Sequence, residues 1–139
     1  MRTVHVDTGA FIALLWSREG PPGPSGGARY GQLKEERARL VTSDPVIAET
    51  ATRLRYDAGL DAARTFGAVI RDAAAAGTLV VRESDDDLRL RAFAIMTRYD
   101  GLALSYADCV GAAVATETRA DAVLGLNHDF RVMGFTLEP

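Results

Sequence analysis

Asp7, Glu49, Asp108, Asn127 and Asp129 carry oxygens that can hold a metal or move a proton, and each falls at a junction between predicted elements. Asp7 closes the β-branched run Val4-His5-Val6, and an apolar run from Ala10 to Trp16 with helical spacing follows at once. A carboxylate there stands at the carboxyl edge of a sheet, where open α/β folds hold ligands. Taken alone, Asp7-Thr8-Gly9 reads more often as a helix cap than as a catalyst; if Asp7 binds an ion, the cap role passes to Thr8 or Gly9. Glu49 lies beside Val46, Ile47, Ala48 and Ala51 in the first turns of a helix. The plain reading is an exposed pair with Arg53, but a half-buried carboxylate needs a partner or a proton. Ser105-x-x-Asp108 has the form of a capping box, and the helix behind it is almost wholly apolar, so its amino end is tucked in. Asn127 and Asp129 follow a strand in Leu126-Asn127-His128-Asp129-Phe130, otherwise an ordinary turn anchored by Phe130. Two carboxylates about 4 Å apart repel by about 4 kcal/mol at an effective dielectric of about 20. Acids that converged would therefore need a cation among them, and an all-oxygen set suits Mg²⁺ or Mn²⁺ better than Zn²⁺.

The elements that would position these residues alternate along the chain. Strands are expected over Val4–Val6, Leu40–Thr42, Thr78–Val81, Ala122–Leu124 and Phe135–Leu137. Helices are expected from Ala10 to Trp16, Tyr30 to Arg39, Pro45 to Asp57, Leu60 to Ala76, after Ser84 to Tyr99, and Tyr106 to Thr118. Ser84 is the expected cap of the fifth helix, whose first turn, Asp85-Asp86-Asp87, meets the helix dipole; neighbouring helix residues do not converge on one metal. Gly59 breaks the third helix and Gly77 ends the fourth. The stretch 19–27, dense in proline and glycine, reads as a surface loop, and the apolar Leu79-Val80-Val81 as a strand covered on both faces. Strand–helix alternation predicts a three-layer α/β/α sandwich around a mainly parallel sheet.

A chain of 139 residues suits one domain, 1–139, large enough for a core without disulfides. A hydrophobic share of 47% and a net charge of −3 are those of a soluble globular protein without a global basic signal. One cysteine, Cys109, allows no internal disulfide and fits a reducing cytoplasm. The start lacks the form of a signal peptide, and Ala10–Trp16 falls far short of the ~20 residues that span a bilayer, so no membrane partner is expected.

The blocks Val-Asp-Thr-Gly-Ala-Phe-Ile-Ala-Leu, Pro-Val-Ile-Ala-Glu-Thr, Leu-Ser-Tyr-Ala-Asp-Cys and Leu-Asn-His-Asp-Phe, then a short Gly-Phe strand, run in the order of the PIN-domain family. The chain resembles that family over essentially its whole length, and most of all its small VapC-like toxins. The resemblance implies a PIN-like fold and metal-dependent cleavage of single-stranded RNA as the toxin of a toxin–antitoxin pair. It implies a cognate antitoxin and a homodimer as partners. It carries the family's first three acids to Asp7, Glu49 and Asp108. The fourth comes from a Thr-x-Asp-x-Asp-Phe block, and here Asn127 takes the first acidic place while Asp129 keeps the second. Asp7 and Asp108 are then the principal ligands of Mg²⁺ or Mn²⁺, Glu49 completes the site, and Asn127 with Asp129 supports a second ion. Thr8 and Ser105 match hydroxyl positions that bond water or phosphate; Arg53, Arg55 and Arg98 are candidates to hold the RNA backbone, with ordinary helix-surface pairing an equal alternative for each.

Three other readings compete. A thiol mechanism at Cys109 has only His5 and His128 to activate it, and burial of the thiol is the better expectation. A phospho-aspartate at Asp7 lacks a second acid at Gly9, and the sole lysine, Lys34, lies in a surface helix. A PIN-like module without catalysis, with Asn127 as the mark of a decayed site, is opposed by the retained Asp7, Glu49 and Asp108.

Overall fold

Strand β1 (Thr3–Val6) turns Val4 and Val6 to one face and His5 to the other, and all three are fully buried, so it is covered on both sides. The computed structural model describes residues 1–16 and 24–139, with backbone alone for 24–28. β1 pairs in parallel with β2 (Arg39–Ser43) and β4 (Ala122–Leu124), and β3 (Leu79–Arg82) and β5 (Leu137–Glu138) complete the sheet in the order β3-β2-β1-β4-β5. Every pairing is parallel.

Among the described residues, seven helices separate the strands: α1 (Thr8–Leu15), α2 (Pro24–Glu35), α3 (Asp44–Asp57), α4 (Leu60–Ala75), α5 (Asp86–Arg98), α6 (Tyr106–Glu117) and α7 (Asp129–Val132). Phe11 of α1, Leu33 of α2, Leu54 of α3 and Phe66 of α4 pack on Val4, Val6 and Leu40 on one face. On the other, Leu88 of α5, Val110 and Val114 of α6 and Phe130 of α7 pack on Val41 and Val123. Helices thus cover both faces of an all-parallel sheet, the three-layer α/β/α fold expected.

The order of the strands locates the site. The chain winds outward from β1 through β2 to β3 along one face, then returns through α5 and α6 to lay β4 on the free side of β1. The switch point lies between β1 and β4, at whose carboxyl ends a ligand crevice opens.

Several local expectations need correction. The stretch 19–27 divides: 19–23 lie outside the described residues, while helix α2 already begins at Pro24, because proline fits a helix's first turn. Helix α2 also ends at Glu35 instead of Arg39, in a turn where Arg37 takes a φ of 56°. Asp85, not Ser84, caps α5, its carboxylate accepting from the Leu88 N–H at 2.8 Å. β3 is an edge strand with Val80 39% exposed, so its apolar run does not mean cover on both faces. The turn at Asn127–Phe130 continues into the one-turn helix α7, which delays the last strand to Leu137. No helix of the described residues is long and apolar enough to cross a membrane.

Candidate active site

Asp7 follows the last residue of β1, and its N–H donates to the Leu124 carbonyl at 2.9 Å, fixing it beside the end of β4. It is the N-cap residue of α1 by backbone geometry, yet its carboxylate makes no capping bond. The expectation that Thr8 or Gly9 takes over the cap does not hold, for Thr8 already lies inside the helix and Gly9 has no side chain to cap with. Glu49 rides on α3, whose start is set by the Ser43 hydroxyl accepting from the Val46 N–H at 3.3 Å and by Pro45 in the first turn. Asp108 is the third residue of α6. The Asp108 N–H donates to Ser105 Oγ and the Ser105 N–H to Asp108 Oδ2, each at 3.0 Å, the capping box the sequence predicted. α3 and α6 come from opposite layers but meet beyond the sheet edge, where Ala107 joins the cluster of Val46 and Leu54.

These placements gather Asp7, Thr8, Glu49, Arg53, Ser105, Asp108 and Asn127 around one cleft of about 310 Å³ at the switch point, with Gly9 and Leu126 completing its wall. Asp129 does not line it. Arg98 lines a separate cavity between α5 and α6 and stacks on the Tyr99 ring at 5.3 Å. Cys109 is fully buried among apolar residues, and that burial, with Asp108 nearby, pushes its thiol pKa up, so it is no nucleophile.

The cleft is electrostatically unresolved. Asp7 is only 4% exposed, and burial, followed by the charges of Asp108 and Glu49, pushes its carboxyl up to about 7 against the Thr8 N–H and Arg53. The Glu49 carboxyl is also raised, by burial and then Asp108, while Arg53 and the hydroxyls of Ser105 and Thr8 oppose this. His5, on the same strand face, is fully buried and held neutral, its pKa lowered by burial to about 4. Among the described residues, the buried side-chain polar atoms without a hydrogen-bond partner are His5 Nδ1 and Nε2, Asp7 Oδ1 and Thr8 Oγ1. All belong to residues 5–8. Backbone packs tightly here: a Cβ on Gly111 would stand 2.7 Å from His5 Nε2, and one on Gly125 would stand 3.0 Å from the Asp7 Cβ.

A buried, unpartnered Asp7 oxygen beside two more carboxylates fits a hard divalent cation. Among the described residues, no three His, Cys, Asp or Glu side chains are gathered closely enough to grip a metal as they stand. An ion would have to draw the long Glu49 side chain or Asp108 inward.

A second, more open groove of about 510 Å³ shares Glu49 and Ser105 with the cleft and adds Asp44, Pro45, Ser84 and Tyr106. The sequence reading did not select these as site residues. Asp44 directly follows strand β2 as Asp7 follows β1, so the rule that marked Asp7 could have found it; Ser84 lies two residues past β3.

The sequence matches the PIN domain family over residues 4–136, and the chain belongs to that family. Among solved structures it is similar to VapC20 of Mycobacterium tuberculosis, a Sarcin-Ricin loop cleaving toxin, with 24% identity over 96% of each chain and a TM-score of 0.79. It is also similar to VapBC2 of Rickettsia felis bound to a promoter DNA fragment, with 14% identity over 98% of this chain and 97% of that one and a TM-score of 0.71. FitAcB of Neisseria gonorrhoeae matches with 16% identity over 98% and 96% and a TM-score of 0.67. Comparison with curated protein sequences finds no match.

Proposed function

We propose that this PIN-domain chain is a Mg²⁺- or Mn²⁺-dependent endoribonuclease that cuts single-stranded RNA in the cytoplasm, and that it is the toxin of a VapBC-type pair. The observation that carries the reading is the buried Asp7 carboxylate, its Oδ1 without a hydrogen-bond partner, in one cleft with Glu49 and Asp108. Asp7 and Asp108 would hold the ion, with Glu49 completing the set and Asp129, the first residue of α7, outside the cleft lining. When bound, such an ion acidifies a water and offsets the charge of a phosphate during in-line attack. Glu49, whose proton affinity is raised, orients the attacking water and accepts its proton at the carboxylate. Arg53, without an ion pair among the described residues, neutralises the phosphate. The Thr8 and Ser105 hydroxyls lie close enough to Glu49 to lower its proton affinity, and each keeps a hydrogen that can turn to substrate, since Ser105 Oγ accepts from the Asp108 N–H. The groove past Ser105 and Tyr106 offers the strand a path out of the cleft.

An antitoxin chain would cover the cleft and apolar side chains such as Leu126, 59% exposed at its rim. The homodimer rests on family likeness alone.

The purified chain should cleave mixed-sequence single-stranded RNA only with Mg²⁺ or Mn²⁺ present. Asp7→Asn should reduce cleavage to background while the protein stays folded, and undiminished cleavage by this variant would overturn the assignment. The absence of a preformed acidic grip favours one rival, a PIN-like module that binds without cutting. Calorimetric titration separates the two, since the module would take up no Mn²⁺.

A further inference from the structure

Asn127 lines the cleft beside three acids, and its amide is already half committed. Oδ1 accepts from the Asp129 N–H at 3.0 Å, and the Asn127 backbone carbonyl accepts from the Phe130 N–H at 3.2 Å. A backbone N–H only donates, so the amide atom facing it must be the oxygen, and the free end of the group is the NH₂. That Nδ2 has no hydrogen-bond partner among the described residues, although Asn127 lines the cleft with Arg53 and the three acids. An NH₂ repels a cation and donates to an anion. An aspartate at this position could keep the turn with one oxygen and present the other to the cleft as an acceptor. The lining therefore divides into an acidic part, Asp7, Glu49 and Asp108, and a donor part, Arg53 and Asn127.

We propose that Asn127 Nδ2 donates to a non-bridging oxygen of the RNA phosphodiester in the cleft, so that the site takes one divalent ion and not two. The inference rests on the nuclease reading above. Without RNA, three carboxylates, one divalent ion and the Arg53 guanidinium sum to neutrality, so a bound phosphodiester leaves one negative charge for the Asn127 donor to meet.

Two variants isolate the donor. Asn127→Asp keeps the acceptor that holds the turn but adds a charge; Asn127→Ala adds no charge but loses the turn contact. Only the lost NH₂ is common to both. RNA binding is read in EDTA, where no cleavage occurs, by fluorescence anisotropy of a mixed-sequence single-stranded RNA, with melting temperatures as the folding control. Mn²⁺ stoichiometry is read by calorimetry without RNA. The expected result is about tenfold weaker RNA binding by both variants, with one Mn²⁺ per wild-type chain and a second gained by Asn127→Asp. Wild-type RNA affinity in either variant would overturn the proposal, as would two ions in the wild type with one lost in Asn127→Ala. A wild type that binds no Mn²⁺ would overturn the nuclease reading itself, and this inference with it.

Discussion

Carboxylates meet two opposite fates in this molecule. On the surface, Glu117 accepts from Arg82 at 2.9 Å and Arg91 at 3.0 Å, and the Arg82 hydrogen bond foremost holds its carboxyl below the usual range despite partial burial. Glu138 accepts from Arg2 at 2.6 Å and Arg29 at 2.7 Å; burial pushes its carboxyl up, but the Arg29 and Arg2 bonds outweigh it and the net shift is downward. At the carboxyl edge, Asp7 is far more buried and has no such partner, and its carboxyl is driven up to about 7. The chain does not lack arginines to pair its acids. It leaves Asp7 Oδ1 without a hydrogen-bond partner where the fold opens its crevice, the contrast on which the proposed ion rests.

The largest expected effect is on the metal-free protein. Asp7 binds its proton more tightly folded than unfolded, so its contribution to stability is full below about pH 4 and is lost as pH rises through about 7. Asp7→Asn should therefore be more stable than wild type by about 4 kcal/mol at pH 8 in EDTA. The difference should vanish toward pH 4. Denaturant unfolding of both proteins across this range measures it, and surface acids and His5, common to both, cancel in the difference. A wild type more stable than the variant at pH 8 would mean that Asp7 is paired after all.

Next is Gly111→Ala. The new Cβ would meet His5 Nε2, a group held between β1 and α6 without a hydrogen bond, and the clash should cost about 1–3 kcal/mol in denaturant unfolding. Unchanged stability would show that His5 can move aside, and that the packing around residues 5–8 is looser than the geometry implies.

The smallest effect belongs to the paired acids. Glu117→Gln should cost no more than about 1 kcal/mol, shrinking as salt is added, because both its arginine pairs are partly exposed. Mn²⁺ affinity, read by calorimetry, should not change. A large loss of Mn²⁺ binding there would tie the two regions together.

Much of the frame was legible because local chemistry and periodicity agreed. Val4–Val6 before Phe11, the Ser43–Pro45 start of α3, and the Ser105–Asp108 box before a wholly apolar helix each specify an element without reference to the rest of the chain. The errors fell where a residue's meaning depends on what lies beside it in space. Leu79–Arg82 has the composition of a covered strand but ends as an edge, because no other strand of the described residues pairs beyond it. Ser84 and Asp85 are both good caps, and only the chain path decides which side chain reaches the Leu88 N–H.

The acids divide in the same way. Residue type alone marked Asp7, Glu49, Asp108 and Asn127 as capable of chemistry and, through their order, as those of a PIN domain. Their convergence is a property of the tertiary structure: α3 and α6, from opposite layers, touch beyond the sheet edge, and the return of β4 beside β1 brings Asn127 to Asp7. Asp129, two residues from Asn127, remains outside the cleft. The unpartnered Asp7 oxygen is decided there too, because a capping bond is a matter of side-chain direction, and Asp-Thr-Gly permits both outcomes. Sequence names which groups can bind an ion; only the packing of helices around the switch point removes their water and their other partners.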